Sequence, residues 1–173
     1  MPRTPSDTAT PTNTAPAGVP VTELVDGVLS ASRALVAVAA RSLAQVADDV
    51  TLAQYRALVE IASRGPLRAA DLADALRVDR STATRMCDRL IRKGLVNRRR
   101  LSDDRRAVRI SLTTAGRDLV SEVSRRRRAE IAQIVERMPV ADRPRVSQAL
   151  HLFAEAAGEV SEQSWTLGWD LQE

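Results

Sequence analysis

One short segment limits what this chain can fold into, because its hydrophobic period differs from that of its surroundings. Val108, Ile110 and Leu112 alternate with polar residues, a period of two that predicts a half-buried β-strand. Residues 95–100 (LVNRRR) predict the partner strand, and the polar sequence LSDDR joins the two. The chain is therefore predicted to hold one β-hairpin in an otherwise helical fold.

Helical periodicity dominates the rest of the chain, where apolar residues recur at three- and four-residue steps. Six helices are predicted, four before the hairpin and two after it: residues 21–46, 51–65, 68–76, 80–94, 114–138 and about 141–162. Capping and stop signals mark their ends: Thr51 with Gln54, Asp79, Gly94, Thr113 and Pro139. The predicted fold class is mainly α (α+β), in the order α-α-α-α-β-β-α-α.

Positive charge is concentrated around the hairpin. The 173-residue chain has a net charge of +4, but residues 80–109 hold eleven Lys and Arg against three Asp, a local net charge of +8. Such a focused patch is the electrostatic signature of a protein that binds a polyanion. All four aromatic residues lie outside this segment, which argues against single-strand binding by base stacking.

Several other functional classes find no support in the sequence. One cysteine, Cys87, and one histidine, His151, cannot form an intrachain disulfide or a Cys/His metal cluster, so no metal or cofactor is predicted. The sequence contains neither a nucleophile elbow nor a phosphate-binding glycine motif, so no motif in it indicates an enzyme. No apolar stretch approaches the roughly 18 residues that span a bilayer, and no signal-peptide pattern is present. We expect a cytoplasmic protein.

Two short helices separated by a three-residue turn, Arg77-Val78-Asp79, predict a helix-turn-helix. In this motif the second helix enters the major groove of DNA and reads base edges near its N-terminus. Its apolar residues, Cys87 among them, define a core side, so the opposite side is expected to face DNA. The candidate DNA contacts on this helix are Arg80, Ser81, Thr82, Thr84, Arg85 and Arg89.

Residues 71–116, DLADALRVDRSTATRMCDRLIRKGLVNRRRLSDDRRAVRISLTTAG, resemble the core of MarR-family transcriptional regulators. The most specific parts are TRMCDRLIRKGLV and DDRRAVRISLTTAG, and the flanking helices extend the resemblance over about residues 21–160. It implies a winged helix-turn-helix carried by an obligate homodimer with interlocking N- and C-terminal helices. It also implies a repressor on a pseudo-palindromic double-stranded DNA operator. Many members release the operator on binding a small, often aromatic or phenolic, ligand.

The resemblance and the helical pattern together divide the chain into four parts. Residues 1–19, rich in Pro, Thr and Ala, are expected to be a disordered tail. Residues 20–47 would form the N-terminal dimerisation helix, residues 48–113 the winged helix-turn-helix DNA-binding domain, and residues 114–173 the C-terminal dimerisation helices. The residues expected to line an effector pocket are Leu43, Tyr55 and Leu119.

The wing resembles the family's Asp-x-Arg element, in which Asp104 would hold Arg106 and an Arg would reach the minor groove. Asp103 and Arg105 form an overlapping pair, and many members carry Arg where this chain has Asp103, so both arginines are candidates. A carboxylate bonded to the guanidinium holds it extended before binding. A narrow A·T-rich minor groove then attracts the cation. The candidate wing residues are Arg98, Arg100, Asp104, Arg105 and Arg106.

Two other interpretations stay open at this point. A nonspecific architectural DNA-binding protein would bind any duplex with similar affinity, whereas a regulator should prefer its own upstream region by about 10³-fold or more. A winged-helix protein-interaction module would not bind DNA. A salt titration separates the DNA-binding protein from the interaction module, because a protein with several phosphate contacts loses affinity for DNA steeply as the salt concentration rises.

Overall fold

A computed structural model describes residues 19–100 and 108–160, apart from the side chains of Arg99 and Arg100. Within these residues the chain forms six α-helices and a two-stranded antiparallel sheet, which confirms the predicted fold class and element order. The helices are α1 (Val21–Ala44), α2 (Leu52–Arg64), α3 (Ala69–Leu76), α4 (Arg80–Arg92), α5 (Thr114–Glu136) and α6 (Arg143–Ala156). The strands β1 (Val96–Arg100) and β2 (Val108–Leu112) follow α4.

Capping residues account for most of the helix boundaries. Thr51 and Gln54 form the predicted capping box, each side chain accepting a hydrogen bond from the other's backbone N–H at 3.2 Å. Thr113 caps α5 by accepting from the Gly116 N–H at 3.0 Å. Gly94 ends the turn after α4 with a φ of +70°, a backbone conformation that glycine adopts without steric cost.

The last two helices are shorter than predicted. The final turn of α5 tightens before Pro139, because Arg137 and Met138 donate to carbonyls only three residues back, Ile134 and Val135. Residues 140–142 form a separate 3₁₀ turn.

The prediction that the last helix reaches about residue 162 was wrong, because α6 ends at Ala156. Gly158 adopts a φ of +76°, and its N–H donates to Glu155 while the Glu159 N–H donates to Ala154. This is a glycine-dependent C-terminal cap, and the glycine that signals it stands in the sequence EAAGEV.

The hydrophobic core lies within residues 36–160, with α2 at its centre. The side chains of Ala57, Leu58 and Ala62 on α2 are fully buried. Every other helix except α6, and both strands, contribute buried side chains to the same cluster: Leu43, Leu72, Cys87, Leu90, Val96, Ile110, Leu112, Val120 and Val123. Because α4, the sheet and the start of α5 share this core, their relative positions are fixed by packing rather than by loops.

The division of the chain into compact units falls inside α1, after Leu35. Residues 36–160 contain the core described above. In the preceding unit, five large apolar side chains of α1 are exposed: Val21, Leu24, Val25, Leu29 and Leu35. The boundaries of the four predicted parts are not tested by these observations and stay predictions, and residues 1–18 and 161–173 lie outside the described residues.

The hairpin has a third strand-like contact at its base. β1 and β2 pair in antiparallel register, with Val96 opposite Leu112 and Asn97 opposite Ser111. Leu67, between α2 and α3, then bridges Ile110 through two backbone hydrogen bonds of 3.0 and 2.7 Å. The hairpin is therefore held on one side by the segment that leads into α3.

Candidate nucleic-acid interface

The turn between α3 and α4 is tight and built from backbone hydrogen bonds. Arg77 takes the left-handed conformation, with φ 53° and ψ 44°. Its N–H donates to Asp74, and the Val78 N–H donates to Ala73. The strained position is held by packing of the two helices through buried Leu72 and Ala83. The predicted three-residue turn therefore places α4 across α3, as a helix-turn-helix requires.

Asp79 caps α4 through three hydrogen bonds. Its carboxylate accepts from the Thr82 N–H at 2.8 Å, the Ser81 hydroxyl at 2.6 Å and the Thr82 hydroxyl at 2.8 Å. The Ser81 hydroxyl bond, followed by the two from Thr82, holds the pKa of Asp79 well below its usual range. The first turn of α4 is thus fixed by its own side chains before any ligand approaches.

The apolar side of α4 lies in the core as predicted. Ala83, Met86, Cys87 and Leu90 are buried. Burial raises the pKa of the Cys87 thiol, so at neutral pH it is a neutral thiol and packs as a small apolar residue. The opposite side is therefore the one available to a ligand as large as a DNA duplex.

The candidate contacts on α4 all point away from the core. Thr82 is half-buried. The other five are exposed: Arg80, Ser81, Thr84, Arg85 and Arg89.

Internal hydrogen bonds already engage two of these side chains. The Thr84 hydroxyl donates to the Arg80 carbonyl at 2.8 Å, and Arg85 Nη2 donates to the Thr82 hydroxyl at 3.2 Å. The guanidinium groups of Arg80 and Arg89 have no partner among the described residues. The guanidinium groups of Arg85 and Arg92, by contrast, each donate to a neutral oxygen.

Arg98 connects the hairpin to α4. Its Nη2 donates to the Asp88 carboxylate of α4 at 2.6 Å, and both side chains are nearly half exposed. The pair fixes the direction of Arg98 relative to α4. For Arg100 only the backbone, in β1, is described. The remaining wing candidates lie outside the described residues: Asp103, Asp104, Arg105 and Arg106.

The residues predicted to line an effector pocket lie in the core. Leu43 and Tyr55 are buried, and Leu119 is half-buried and packs against the same cluster. The Tyr55 hydroxyl lies 3.3 Å from the Ser124 hydroxyl of α5. This polar contact inside an apolar region joins α2 to α5. The assignment of a pocket to these three residues stays a prediction.

Sequence analysis missed several contacts that position the interface. Lys93, at the end of α4, donates to the carbonyl and carboxylate of Asp49 and holds the pKa of that carboxyl below its usual range. The Thr113 hydroxyl donates to the Gly94 carbonyl at 2.6 Å, which joins α5 to the end of α4. Neither pair has a local sequence signal, because the partners are 44 and 19 residues apart.

Neither a metal site nor a membrane span is found within the described residues, 19–100 and 108–160. No group of His, Cys, Asp and Glu side chains there could hold a metal ion. No helix there is both long enough and apolar enough to cross a membrane.

Comparison with known proteins gave consistent matches. The family model described as "MarR family" matches residues 50–108. The transcriptional repressor MdtR of Bacillus subtilis is 32% identical over 110 residues, which are 64% of this chain and 69% of that protein. The multiple antibiotic resistance protein MarR of Escherichia coli is 40% identical over 68 residues, which are 39% of this chain and 47% of that protein.

The solved structures extend the likeness beyond the matched sequence. The crystal structure of Rv1404 from Mycobacterium tuberculosis superposes with a TM-score of 0.77 and 42% sequence identity. The match covers 84% of this chain and 99% of that one. The likeness therefore includes the helices outside residues 50–108.

Proposed function

Because the chain belongs to the MarR family of transcriptional regulators, we propose that it is a ligand-responsive repressor that binds a pseudo-palindromic operator as a homodimer. It acts in the cytoplasm, on double-stranded DNA, and catalyses no reaction. The observation that carries the proposal is the exposed basic side of α4, whose opposite side is buried in the core.

The recognition helix has the chemistry that base reading needs. Arg binds guanine bidentately, and Ser and Thr hydroxyls reach phosphates or base edges. On α4 these residues are Arg80, Ser81, Thr82, Thr84, Arg85 and Arg89, and Arg80 and Arg89 are free of partners among the described residues. Two such helices in a dimer enter successive major grooves about one helical turn apart.

The wing would add contacts beside each major groove. Arg98 projects from β1 with its direction set by Asp88, which lowers the entropy cost of binding a phosphate. Arg100 and the loop residues Asp104, Arg105 and Arg106 belong to the same proposal. One loop Arg enters the minor groove, and an Asp holds it.

Exposed apolar side chains support the homodimer. On α6, Leu152 and Phe153 are 60% and 54% exposed, and Leu150 is exposed as well. On α5, Ile134 and Val135 are exposed, and α6 buries none of its own side chains. Exposed apolar side chains that gather into a patch mark protein–protein contact sites. A second copy of the chain is the partner that the family relationship favours.

The effector would be a small aromatic or phenolic molecule bound beside Leu43, Tyr55 and Leu119. These residues connect the end of α1, α2 and α5, and the Tyr55–Ser124 hydroxyl contact offers a polar group for a phenol. A ligand there could change operator affinity only by binding one arrangement of the DNA-binding lobes better than another.

Footprinting of genomic DNA with the purified protein tests the central proposal. We expect protection of a pseudo-palindromic site upstream of a gene, with about 10³-fold or greater preference over unrelated duplex. Affinity should fall steeply between about 50 and 200 mM salt. Equal affinity for every duplex would instead identify an architectural protein. No binding at low salt would identify a protein-interaction module.

A further inference from the structure

A cavity of about 660 Å³ lies between the hairpin and the first turn of α5. We call it the hairpin cavity. Its polar lining comes from β1, β2 and the start of α5, and no carboxylate of residues 19–100 or 108–160 contributes to it. The polar residues are Asn97, Arg109, Ser111, Thr113, Thr114 and Arg117. Its volume falls within the range of sites that bind small molecules.

The hairpin cavity lies on the side of the sheet that faces away from α4. Successive side chains of a strand point to opposite faces. Arg98 reaches Asp88 on α4, so its neighbour Asn97, paired with Ser111, lies on the other face. A DNA duplex bound along α4 therefore does not fill this cavity.

The guanidinium group of Arg109 makes few hydrogen bonds for a group with a buried nitrogen. Its Nη1 donates to the Pro66 carbonyl at 3.1 Å, but its Nε is buried and has no hydrogen-bond partner. Its Nη2 also has no partner among the described residues. A buried polar group without a partner is unfavourable, so an acceptor on a bound ligand would be stabilised beside Arg109.

Arg117 brings a second positive charge to the same cavity. It donates to the Leu112 carbonyl at 3.2 Å and to the Thr114 hydroxyl at 3.1 Å, both neutral acceptors. Six other arginines form ion pairs, but within residues 19–100 and 108–160 neither Arg109 nor Arg117 pairs with a carboxylate. Within the part of the chain that the structure describes, no carboxylate therefore neutralises the charge of the cavity.

The Asn97 amide of the cavity is also free to donate. The Ser111 hydroxyl donates to Asn97 Oδ1, which leaves both N–H groups of the Asn97 amide available. The cavity reaches the N-terminus of α5, where the helix dipole favours negative charge. Every group that lacks a partner is a donor, and none is a base.

We propose that the hairpin cavity binds a small organic phosphate, with the phosphate between Arg109 and Arg117 and its organic part against Pro66 and Leu112. Three terminal oxygens match two guanidinium groups and an amide better than the two oxygens of a carboxylate do. The bound molecule would connect β2 to α5. Its role as an effector of operator binding rests on the proposed function, whereas binding itself does not.

Isothermal titration of the full-length protein with phenyl phosphate, at constant ionic strength and without DNA, tests the site. We expect binding that weakens about tenfold or more in Arg117→Gln, the loss expected from removing a charge-assisted hydrogen bond. Arg117 is exposed, so its replacement leaves the core intact. Arg117→Lys should retain part of the affinity, and Arg109→Gln should weaken it where the variant folds, as judged by circular dichroism.

Arg145→Gln is the matched control, because it removes one positive charge from an exposed position on α6 that does not line the cavity. Equal weakening in the control would show nonspecific charge attraction and would overturn the site, as would no binding of phenyl phosphate. Benzoate binding as tightly as phenyl phosphate would overturn the phosphate assignment. The wild type and Arg117→Gln are also assayed on the operator. Loss of phosphate binding in Arg117→Gln with operator binding intact supports the site, whereas a wild type that does not bind the operator refutes the proposed function alone.

Discussion

At the scale of single residues, the interface is organised by short local hydrogen bonds. Asp79 gathers the Ser81 hydroxyl and the N–H and hydroxyl of Thr82 around one carboxylate. Ser81 and Thr82 can therefore contact DNA only through their remaining hydrogen-bonding capacity. The exposed guanidinium groups are left as the principal candidates for reading bases.

Arg85→Ala is expected to weaken binding to the operator and to reduce discrimination among operator variants. Arg85 is exposed and is held to Thr82 by one hydrogen bond of 3.2 Å, so its guanidinium is positioned near the N-terminal half of α4. One bidentate contact to a base contributes about 1–3 kcal/mol of discrimination. Gel-shift titration on the operator and on single-base variants measures both effects. A loss that is equal on all sequences would make Arg85 a phosphate contact.

Gly116→Ala is expected to destabilise the protein, although alanine is the better helix former. A Cβ at this position would lie 2.0 Å from the Leu95 carbonyl oxygen, a backbone atom that cannot move aside alone. Forcing an atom into a packed site is unfavourable by about 1–3 kcal/mol. Urea denaturation measures the change in the free energy of unfolding.

Gly27→Ala provides the control for the same substitution in a helix. A Cβ there meets no described atom within 4 Å, so only helix propensity changes. That favours alanine by about 0.5–1 kcal/mol. Equal effects of the two substitutions would show that the Gly116 contact is relieved by a small backbone shift.

At the scale of elements, the contact that matters most for DNA binding is the one between α4 and the hairpin. The two elements pack together in the core through Leu90, Val96 and Ile110. The Asp88–Arg98 pair adds direction at the surface, where an ion pair contributes at most about 1 kcal/mol to stability. Its expected importance is for binding rather than for folding.

Arg98→Ala should weaken operator binding more than Asp88→Ala does. The first substitution removes a positive charge that can reach a phosphate, whereas the second removes only the group that orients it. The double variant should resemble Arg98→Ala, because Asp88 acts through Arg98. Fluorescence anisotropy with the operator gives the three affinities. Tighter binding by Asp88→Ala would show that the carboxylate merely offsets the charge of Arg98.

Helix α5 carries an arginine run whose pairing predicts a pH dependence. Hydrogen bonds from Arg125 and Arg126 lower the pKa of Glu122 to about 2. The folded-state pKa lies below the unfolded value of about 4.3. The contribution of the ionised Glu122 to the stability of the folded protein is therefore complete at pH values above about 4.3. It is lost as the pH falls from about 4 to about 2.

The variant Glu122→Gln should therefore be less stable than the wild type at pH 7 and nearly equal to it at pH 2. Thermal melts at both pH values compare the two proteins. Glu136→Gln, an exposed carboxylate on the same helix, is the control and should show a smaller pH-dependent difference. A Glu122→Gln difference that is the same at both pH values would mean that the ion pairs contribute nothing.

At the scale of the whole molecule, the chain leaves apolar surface that its own core does not use. α6 has no buried residue, and its apolar side chains Leu150, Leu152 and Phe153 are exposed. An isolated helix of 14 residues is marginal in water without packing. The proposed homodimer gives this helix its missing contacts.

Deletion of residues 141–173 should convert the protein to monomers or aggregates, as measured by light scattering after size exclusion. Phe153→Glu should weaken the dimer by placing a charge in the proposed apolar interface. Gln148→Glu adds the same charge at an exposed polar position of α6 and should leave the dimer intact. A stable, operator-binding dimer after the deletion would contradict the proposed assembly.

The fold was largely predictable because its signals are local. The caps at Thr51, Asp79 and Thr113 and the period-two pattern of Val108, Ile110 and Leu112 each depend on a few neighbouring residues. The end of α6 was missed because Gly158 was not recognised as a C-terminal cap, although it is visible in the sequence.

The sequence by itself determined the element order, the core side of α4 and the concentration of charge beside it, because hydrophobic period and capping act over a few residues. Only the tertiary structure decided which polar groups pair. Asp88 with Arg98, Lys93 with Asp49, and the cluster of donors around Arg109 depend on chain segments that meet in space. Hydrogen bonds and ion pairs need distances of about 3 Å, and the packing of the core sets those distances.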